Sequence, residues 1–475
     1  MNIRVDKSEE ALSAAAIMGL VVLLCFWGID DIPFLSVNEA RRAVTAREMY
    51  ESGQWLLPYM NGKLYLAKPP LFNWLTLLPT LLLDTVSELG LRLPSAVFAL
   101  SSCSVVYVLG KHLGGRRVGL YAAMILAANT GFSLFARRAE IEMSLTGLSL
   151  LSLLAAWHYL FRHGSRRWVL LSFALIGLCL LTKGPVSLLF VAAPLLVFAF
   201  LRQPRAKAYL CDVPGWLLAL LIGGSWYLAV SLKLGWDVWS SILEQDIMAK
   251  VSGEQSGESW YAYLMYLAGD FAPFWLVLLV RPRQLWRAIR ARAELQLLTS
   301  SVLLPLLVFS LFTDKHAKYL LPAYPAMALM LAWHWTAVRD VQQGWRHGLM
   351  TWLPPLLLLA FIGFYALFEA RVFVHRLQAL PEIKKTLVDY PSQPLYSLGT
   401  PDMRLVYYAG RSIAALNVDE VQAHAGEDAL LFVREPLLEK LAWLANCTQA
   451  RFVPYLTYKK TLLLIRLGPT CQAAQ

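Results

Sequence analysis

The charged stretch SVNEARRAVTAREMY, residues 36–50, follows an apolar run at 11–28 that is long enough to cross a bilayer. It sets a carboxylate, Glu39, beside two guanidiniums, Arg41 and Arg42, where a plain membrane anchor needs none. Similar groups recur downstream. ARRAEIEMSLT carries Arg137, Arg138, Glu140 and Glu142, LTKGP carries Lys183, and TDKHAKYLLP carries Lys315, Lys318 and Tyr319. Lys63 and Lys68 follow the first stretch, and Lys250 lies in the 234–261 segment. Ionisable groups beside or within apolar spans mark polar cavities or functional sites. Several cations gathered with a few carboxylates suit an anionic substrate such as a phosphate.

Each of these groups also has a plainer reading. Ser36-Val37-Asn38-Glu39 matches a capping box, so Glu39 reads as a helix cap or as a site carboxylate. Arg41 and Arg42 suit either lipid headgroups or a site, and Arg47 reads as a headgroup contact. Arg137 and Arg138 either pair with Glu140 and Glu142 in a solvated loop or line the site. Lys315 and Lys318 either snorkel to the interface or line the site. His316 reads as incidental rather than as a metal ligand.

The elements that position these groups follow from composition. The chain of 475 residues is 57% hydrophobic and 16% charged, too apolar for an ordinary soluble domain. Apolar runs of membrane-spanning length recur at 11–29, 93–110, 117–135, 143–161, 168–182, 185–201, 214–233, 262–280, 296–312, 319–337 and 348–369. The expected fold is an all-α polytopic membrane protein with about 11–13 spans. The first run lacks a small-residue cleavage site and reads as a span, not a signal peptide. The segment PPLFNWLTLLPTLLLD, 69–84, is short and proline-flanked, and reads as an interfacial or re-entrant helix.

The net charge of +11 sits largely in the short loops KHLGGRR, RHGSRR, RQPRAK and RPRQLWRAIRAR. That is positive-inside punctuation, which excludes a nucleic-acid partner. With the N-terminus in the cytoplasm, alternating spans put every one of these loops inside. The segments bearing Glu39, Lys68, Glu142, Lys183, Lys250 and Lys315 then share the outer face, against the insertion bias. The C-terminal part also falls outside.

After Glu369 the texture changes. PLYSLGT (394–400), MRLVYYAG (403–410), DALLFVRE (428–435) and KTLLLIRL (460–467) read as strands, and EPLLEKLAWLA (435–445) reads as a helix. A small α/β domain at 371–475 is therefore expected beside a membrane domain at 1–370, whose loop 30–92 lies on the same side. Cys447 and Cys471 pair if that side is oxidising and otherwise stay free thiols.

Four stretches together resemble the ArnT-like aminoarabinose transferases and the wider protein mannosyltransferase-like family of GT-C glycosyltransferases. They are NEARRAVTAREMYESGQWLLPYMNGKLYLAKPPLFNWL (38–75), RRAEIEMSLT (137–146), LTKGP (181–185) and FSLFTDKHAKYLLPAYPAMALML (309–331). The resemblance covers about residues 10–370 and implies a GT-C fold in a bacterial inner membrane. It implies transfer of a sugar from a polyprenyl-phosphate carrier to lipid A or another envelope acceptor, with membrane lipids as the other partner. Carried across, Lys68 contacts the carrier phosphate, Tyr65 and Arg41 belong to the same loop, Glu142 is the acidic residue of the second loop, and Tyr319 follows the Lys315 motif. Arg42, Arg138 and Lys183 complete the expected binding set. The family's mobile-segment arginine aligns with Ala249, leaving Lys250 as its substitute.

Three positions depart from the family pattern. Asn38 stands where an aspartate is usual, and an amide cannot act as a general base. Glu142 is one methylene longer than the usual aspartate. Ala67 replaces a glutamate proposed to help bind a metal, so no metal ligands are assigned and a divalent metal is disfavoured. The catalytic candidates are Glu39, Glu142 and Asn38, with the base role open between the first two.

Overall fold

A computed structural model describes residues 7–162, 164–201, 204–240, 242, 258–372, 379–456 and 460–468. It divides into two compact units, one of Met1–Trp27, Leu66–Thr76 and Arg92–Gly363 and one of Gly28–Tyr65, Leu77–Leu91 and Phe364–Gln475.

The first unit is helical. Its helices include α1 (Lys7–Phe26), α4 (Glu88–Gly114, from Arg92 on), α5 (Arg116–Ala127), α6 (Thr130–Ala136), α7 (Ile141–Phe161), α8 (Arg166–Lys183) and α9 (Ala192–Phe200). Then come α10 (Pro204–Leu210), α11 (Val213–Leu234), α12 (Ala262–Asp270), α13 (Pro282–Ala291), α14 (Ala293–Ser310), α15 (Tyr324–Arg339) and α16 (Gly344–Phe364). Each of the eleven apolar runs falls on helical backbone. Among the described residues six helical stretches are long and apolar enough to cross a membrane, and α5 with α6, bent by 71°, count as a seventh if the bent pair is one span. The protein is a multi-pass membrane protein.

The remaining apolar runs are carried by shorter pieces. Residues 262–280 are α12 followed by a 3-10 stretch, Phe274–Leu279, and residues 319–337 begin in the 3-10 turn Ala317–Ala323. α8, the 3-10 stretch Gly184–Phe190 and α9 form one helical run, Arg166–Phe200, where hydropathy alone suggests two spans. Within it the backbone leaves helical geometry at Lys183, at Gly184 (φ +73°) and at Val191.

In lipid, helices associate by close packing rather than by burial from water, so small residues sit at the contacts. A Cβ on Gly177 of α8 would lie 2.8 Å from Ile222, and one on Gly223 of α11 would lie 2.6 Å from Leu180. These glycines let α8 and α11 approach closely.

The second unit joins the first charged loop to the C-terminal part. It contains α2 (Val37–Ser52), a hairpin of β1 (Tyr59–Met60) and β2 (Lys63–Leu64), and most of α3 (Leu71–Leu83). Helices α17 (Ala379–Thr386), α18 (Met403–Ala409) and α19 (Val418–Ala423) accompany a five-stranded sheet. Its strands are β3 (Leu395–Leu398), β4 (Ala414–Leu416), β5 (Leu430–Arg434), β6 (Thr448–Phe452) and β7 (Leu462–Arg466), in the order β4-β3-β5-β7-β6. β3 pairs in parallel with β4 and β5, while β7 pairs antiparallel with β5 and β6. Residues of both faces of β5 and β7 are buried, as expected for central strands covered on two sides.

Three of the expected strands are present as β3, β5 and β7. Residues 403–410 are not a strand but helix α18. Asp402 supplies an N-cap, accepting from the Arg404 N–H at 2.9 Å, and Gly410 closes the helix in the left-handed region. The segment 435–445 lies in a 3-10 stretch, Glu435–Cys447, that is broken at Leu441. The edge strands β4 and β6 escape sequence reading because one has three residues and the other is bulged and polar. Cys447 is disulfide-bonded; Cys471, its expected partner, lies outside the described residues.

Candidate functional site

In the first unit several of the charged motifs converge. Glu142 stands in the first turn of α7 and Lys183 ends α8, and Lys183 Nζ lies 3.3 Å from Glu142 Oε1. Lys318, from the 3-10 turn before α15, bridges two carboxylates. Its Nζ lies 2.8 Å from Glu140 Oε2 and 3.9 Å from Glu142 Oε1. The Lys183 ammonium also sits 4.8 Å from the ring centroid of Tyr319, a cation–π contact. Two carboxylates and two ammoniums thus form a buried, net-neutral network of side chains from α7, the turn before it, α8 and the segment before α15. At most 15% of any of the four side chains is exposed.

The backbone around the network is fixed. Thr146 Oγ1 donates to the Glu142 carbonyl at 2.7 Å, and Ser95 Oγ on α4 reaches the Glu140 carbonyl at 3.4 Å. One helical turn before Ser95, Arg92 is fully buried. Lys68 is half-buried in the bend that leads into α3. Three residues on, Leu71 packs against the cluster of Leu145, Leu148, Cys179 and Phe190. Leu145 lies three residues beyond Glu142, so the Lys68 segment borders the same part of α7.

The other candidates of this unit are placed as follows. Arg138 is buried in the turn before α7. Arg137 is also buried and donates to the carbonyls of Leu24 and Trp27 at 3.0 and 2.7 Å, holding the end of α1. It is therefore not a residue of a solvated loop. Lys315 is buried and donates to the backbone carbonyls of Glu258 and Phe312, so it does not snorkel to an interface. Lys250 lies outside the described residues. Sequence reasoning had Lys318 and Glu140 in view but did not rank them with the site, because their pairing across 178 residues leaves no local signal.

In the second unit, Glu39 is fully buried in the first turn of α2. Ser36 Oγ accepts from the Glu39 N–H at 3.0 Å, and the Glu39 carboxylate accepts from the Leu35 N–H at 3.2 Å. Half of the capping box is thus realised, with the return bond one residue upstream of the usual one. Arg42 is buried, donates to the Tyr65 hydroxyl at 2.9 Å, and has its guanidinium carbon 5.4 Å from the Tyr65 ring centroid. Asn38 is half-buried and Arg41 is exposed.

This loop is held by the hairpin and by α18. Asn61 and Gly62 both take positive φ, 56° and 74°, the geometry of the tight Asn-Gly hairpin turn. The Asn61 amide exchanges two 2.8 Å bonds with the backbone of Ile413, and Glu48 accepts from the Gly62 N–H. Tyr408 accepts from the Phe34 N–H at 3.0 Å and donates to Glu88 at 2.7 Å. Arg404 forks onto Asp402 and also donates to the Leu35 carbonyl at 2.8 Å. Burial opposes the charged form of Asp402, but the bonds and charge of Arg404 outweigh it and hold the carboxyl below its usual range.

Arg47 is a correction. It is buried and donates to the Val406 and Tyr407 carbonyls at 3.1 Å each, so it is not a headgroup contact. These are last-turn carbonyls of α18, at the negative end of its dipole, and the Tyr407 carbonyl also accepts from the Gly410 N–H. Burial pulls the Arg47 guanidinium below its ordinary pKa, opposed by Glu51 and Glu48.

The fold is that of the GT-C class of membrane glycosyltransferase structures. The structure of ArnT from Cupriavidus metallidurans bound to undecaprenyl phosphate superposes with a TM-score of 0.78, at 18% identity, over 95% of this chain and 97% of that one. An oligosaccharyltransferase from Archaeoglobus fulgidus superposes at 0.54, with 11% identity, over 87% of this chain and 65% of that one. Within the class, the resemblance read from the motifs holds at the sequence level. Residues 67–232 match the family described as dolichyl-phosphate-mannose-protein mannosyltransferase. The chain is 30% identical over 304 residues to the undecaprenyl phosphate-alpha-4-amino-4-deoxy-L-arabinose arabinosyl transferase of Pseudomonas aeruginosa, covering 62% of this chain and 54% of that protein. It is 27% identical over 315 residues to an uncharacterized protein of Aquifex aeolicus, covering 66% and 62%. The matches thus span less than two thirds of these relatives' length.

Proposed function

We propose that the chain is an inner-membrane glycosyltransferase that moves a sugar from a polyprenyl-phosphate carrier to lipid A or another envelope acceptor on the periplasmic side. The acceptor oxygen attacks the anomeric carbon, the bond from that carbon to the phosphate oxygen breaks, and the carrier phosphate leaves with the electron pair. The observation that carries this reading is the buried network of Lys183, Lys318, Glu140 and Glu142, bordered by the segment that bears Lys68. Fixed ammoniums in a site shielded from water stabilise charge that develops on a leaving phosphate. Lys68, Arg138, Lys183, Lys315 and Tyr319 are the binding residues of this unit in the proposal, and Arg41, Arg42 and Tyr65 those of the loop.

A hydroxyl acceptor requires a general base, for which Glu39 and Glu142 are the candidates. An ionised phosphate acceptor requires none, which suits the amide at Asn38. The distribution of basic loops supports a cytoplasmic N-terminus, with 1–370 as the catalytic membrane domain and 371–475 as a periplasmic α/β domain. A second reading, a protein acceptor, is favoured by the family description that matches residues 67–232.

The test uses purified protein in lipid nanodiscs with a polyprenyl-phosphate aminopentose, offered lipid A in one arm and an unmodified envelope protein in the other. Mass spectrometry reads the acceptor. Transfer to lipid A supports the first reading and transfer to protein the second. Binding of the carrier without transfer to any acceptor leaves a lipid-linked-sugar binder or transporter on the same scaffold. Full activity in both Lys68→Ala and Glu142→Gln would sink the site assignment.

A further inference from the structure

We propose that α13 is a surface helix that docks on the anionic phospholipid headgroups of its leaflet. Its sequence, PRQLWRAIRA, is split by helical geometry. At about 100° per residue, Leu285, Ile289 and Trp286 fall within an arc of roughly 100°, and Arg290, Arg283 and Arg287 fall together in the next roughly 60°. No residue of α13 is buried, and Trp286 is 61% exposed. Arg281, Arg283, Arg287 and Arg290 are exposed and take part in no ion pair among the described residues, and no acidic residue occurs in 281–292.

The position of α13 says what covers it. It ends at Ala291, two residues before α14 starts, and α14 is long and apolar enough to cross the membrane. Arg292 ties the junction down. Its Nη2 donates to the Leu113 carbonyl at 2.8 Å, and its guanidinium lies 5.8 Å from the ring centroid of Trp333. An exposed helix fixed to the end of a span lies at the bilayer surface. There an apolar stripe rimmed by cations meets acyl chains on one side and phosphates on the other. Four unopposed arginines match a net-negative headgroup layer better than a zwitterionic one, since each cation near an anionic leaflet contributes roughly a fivefold preference. This inference is independent of the proposed reaction.

Hydrogen exchange on the full chain tests it, in nanodiscs of phosphatidylcholine alone and of phosphatidylcholine mixed with phosphatidylglycerol. The amides of residues 284–291 are expected to exchange at least roughly tenfold more slowly in the anionic discs, with the difference shrinking at high salt. In R283Q/R287Q/R290Q the two discs give the same rate, while α14 exchanges as in the parent chain. Arg287→Gln alone gives an intermediate rate and keeps the test decidable should the triple variant fold poorly. Equal rates in both discs for the parent chain, or slow exchange in anionic discs that survives the substitutions, overturn the proposal.

Discussion

Lys318 offers the sharpest test of the buried network. Replacing it with Met removes an ammonium that lies 2.8 Å from Glu140 and 3.9 Å from Glu142, and shifts the charge of the four-residue network from zero to −1. Glu142 keeps Lys183 at 3.3 Å, while Glu140, whose side chain is only 6% exposed, loses its 2.8 Å contact with an ammonium. Removing one partner of a buried pair costs about 3–5 kcal/mol, and the residual exposure of Lys318 puts the expectation at the lower end, about 3 kcal/mol. Glu140→Gln in the same chain restores neutrality. The double variant should therefore be more stable than the two single losses summed by about 1–3 kcal/mol. Urea unfolding in detergent micelles, compared across the four members of the cycle, reads this coupling. Purely additive losses, within about 0.5 kcal/mol, would refute the pairing. The same four proteins, assayed for transfer, separate structure from chemistry. If Lys318 holds only Glu140, the double variant regains activity along with stability; if its ammonium also serves the leaving phosphate, activity stays lost.

Arg47→Met should speed exchange of the α18 amides by on the order of 30-fold, because loss of charged hydrogen bonds to buried carbonyls costs about 2 kcal/mol. Arg41→Met, on the same helix but exposed, should leave α18 unchanged; equal effects of the two substitutions would revive the headgroup reading. The pairing of Asp402 with Arg404 holds the Asp402 carboxyl below its unfolded value of about 3.9, so its contribution is present above that pH and is lost as pH falls through the lowered folded value. Thermal unfolding between pH 2 and 6 should show this loss, and Asp402→Asn, which keeps an N-cap but not the charge, should flatten the profile over that window. Gly223→Val places a branched side chain where a Cβ already lies 2.6 Å from Leu180 and should cost about 1–3 kcal/mol in the same micelle assay.

The membrane part was legible because hydropathy acts residue by residue, and each apolar run declares itself whatever packs beside it. Breaks within the runs were less legible, since a Gly-Pro pair at 184–185 marks an interruption without saying whether the chain reverses. Charges could be assigned to a side of the membrane but not to partners. Glu142 meets Lys183 and Lys318 because helix rotation and tilt bring three distant segments together, and no local pattern encodes rotation. Arg47 was misread for the same reason, as its partners lie 359 and 360 residues downstream. The error at 403–410 was different in kind. Its aromatic and branched residues suit a strand, yet Asp402 and Gly410 sit at the two cap positions and fix a helix. Those caps were readable, and the outcome shows that end signals outweigh side-chain propensity in so short a segment.

The charge count of the network bears on how an anionic carrier is recognised. Glu140 and Glu142 already neutralise Lys183 and Lys318, so a phosphate entering beside them brings negative charge that these lysines do not by themselves offset. Burying unbalanced charge is costly, and a selective phosphate site needs a surplus of cations. In this unit Lys68 and Arg138, on segments beside the network, are the further cations of the proposed binding set. Carrier binding should therefore weaken more on Lys68→Ala than on the paired substitution K183M/E142Q, which removes one charge of each sign. Binding of a fluorescent polyprenyl phosphate to the nanodisc-embedded protein measures the order. If the paired substitution weakens binding more than Lys68→Ala, the network itself and not its cationic border recognises the phosphate.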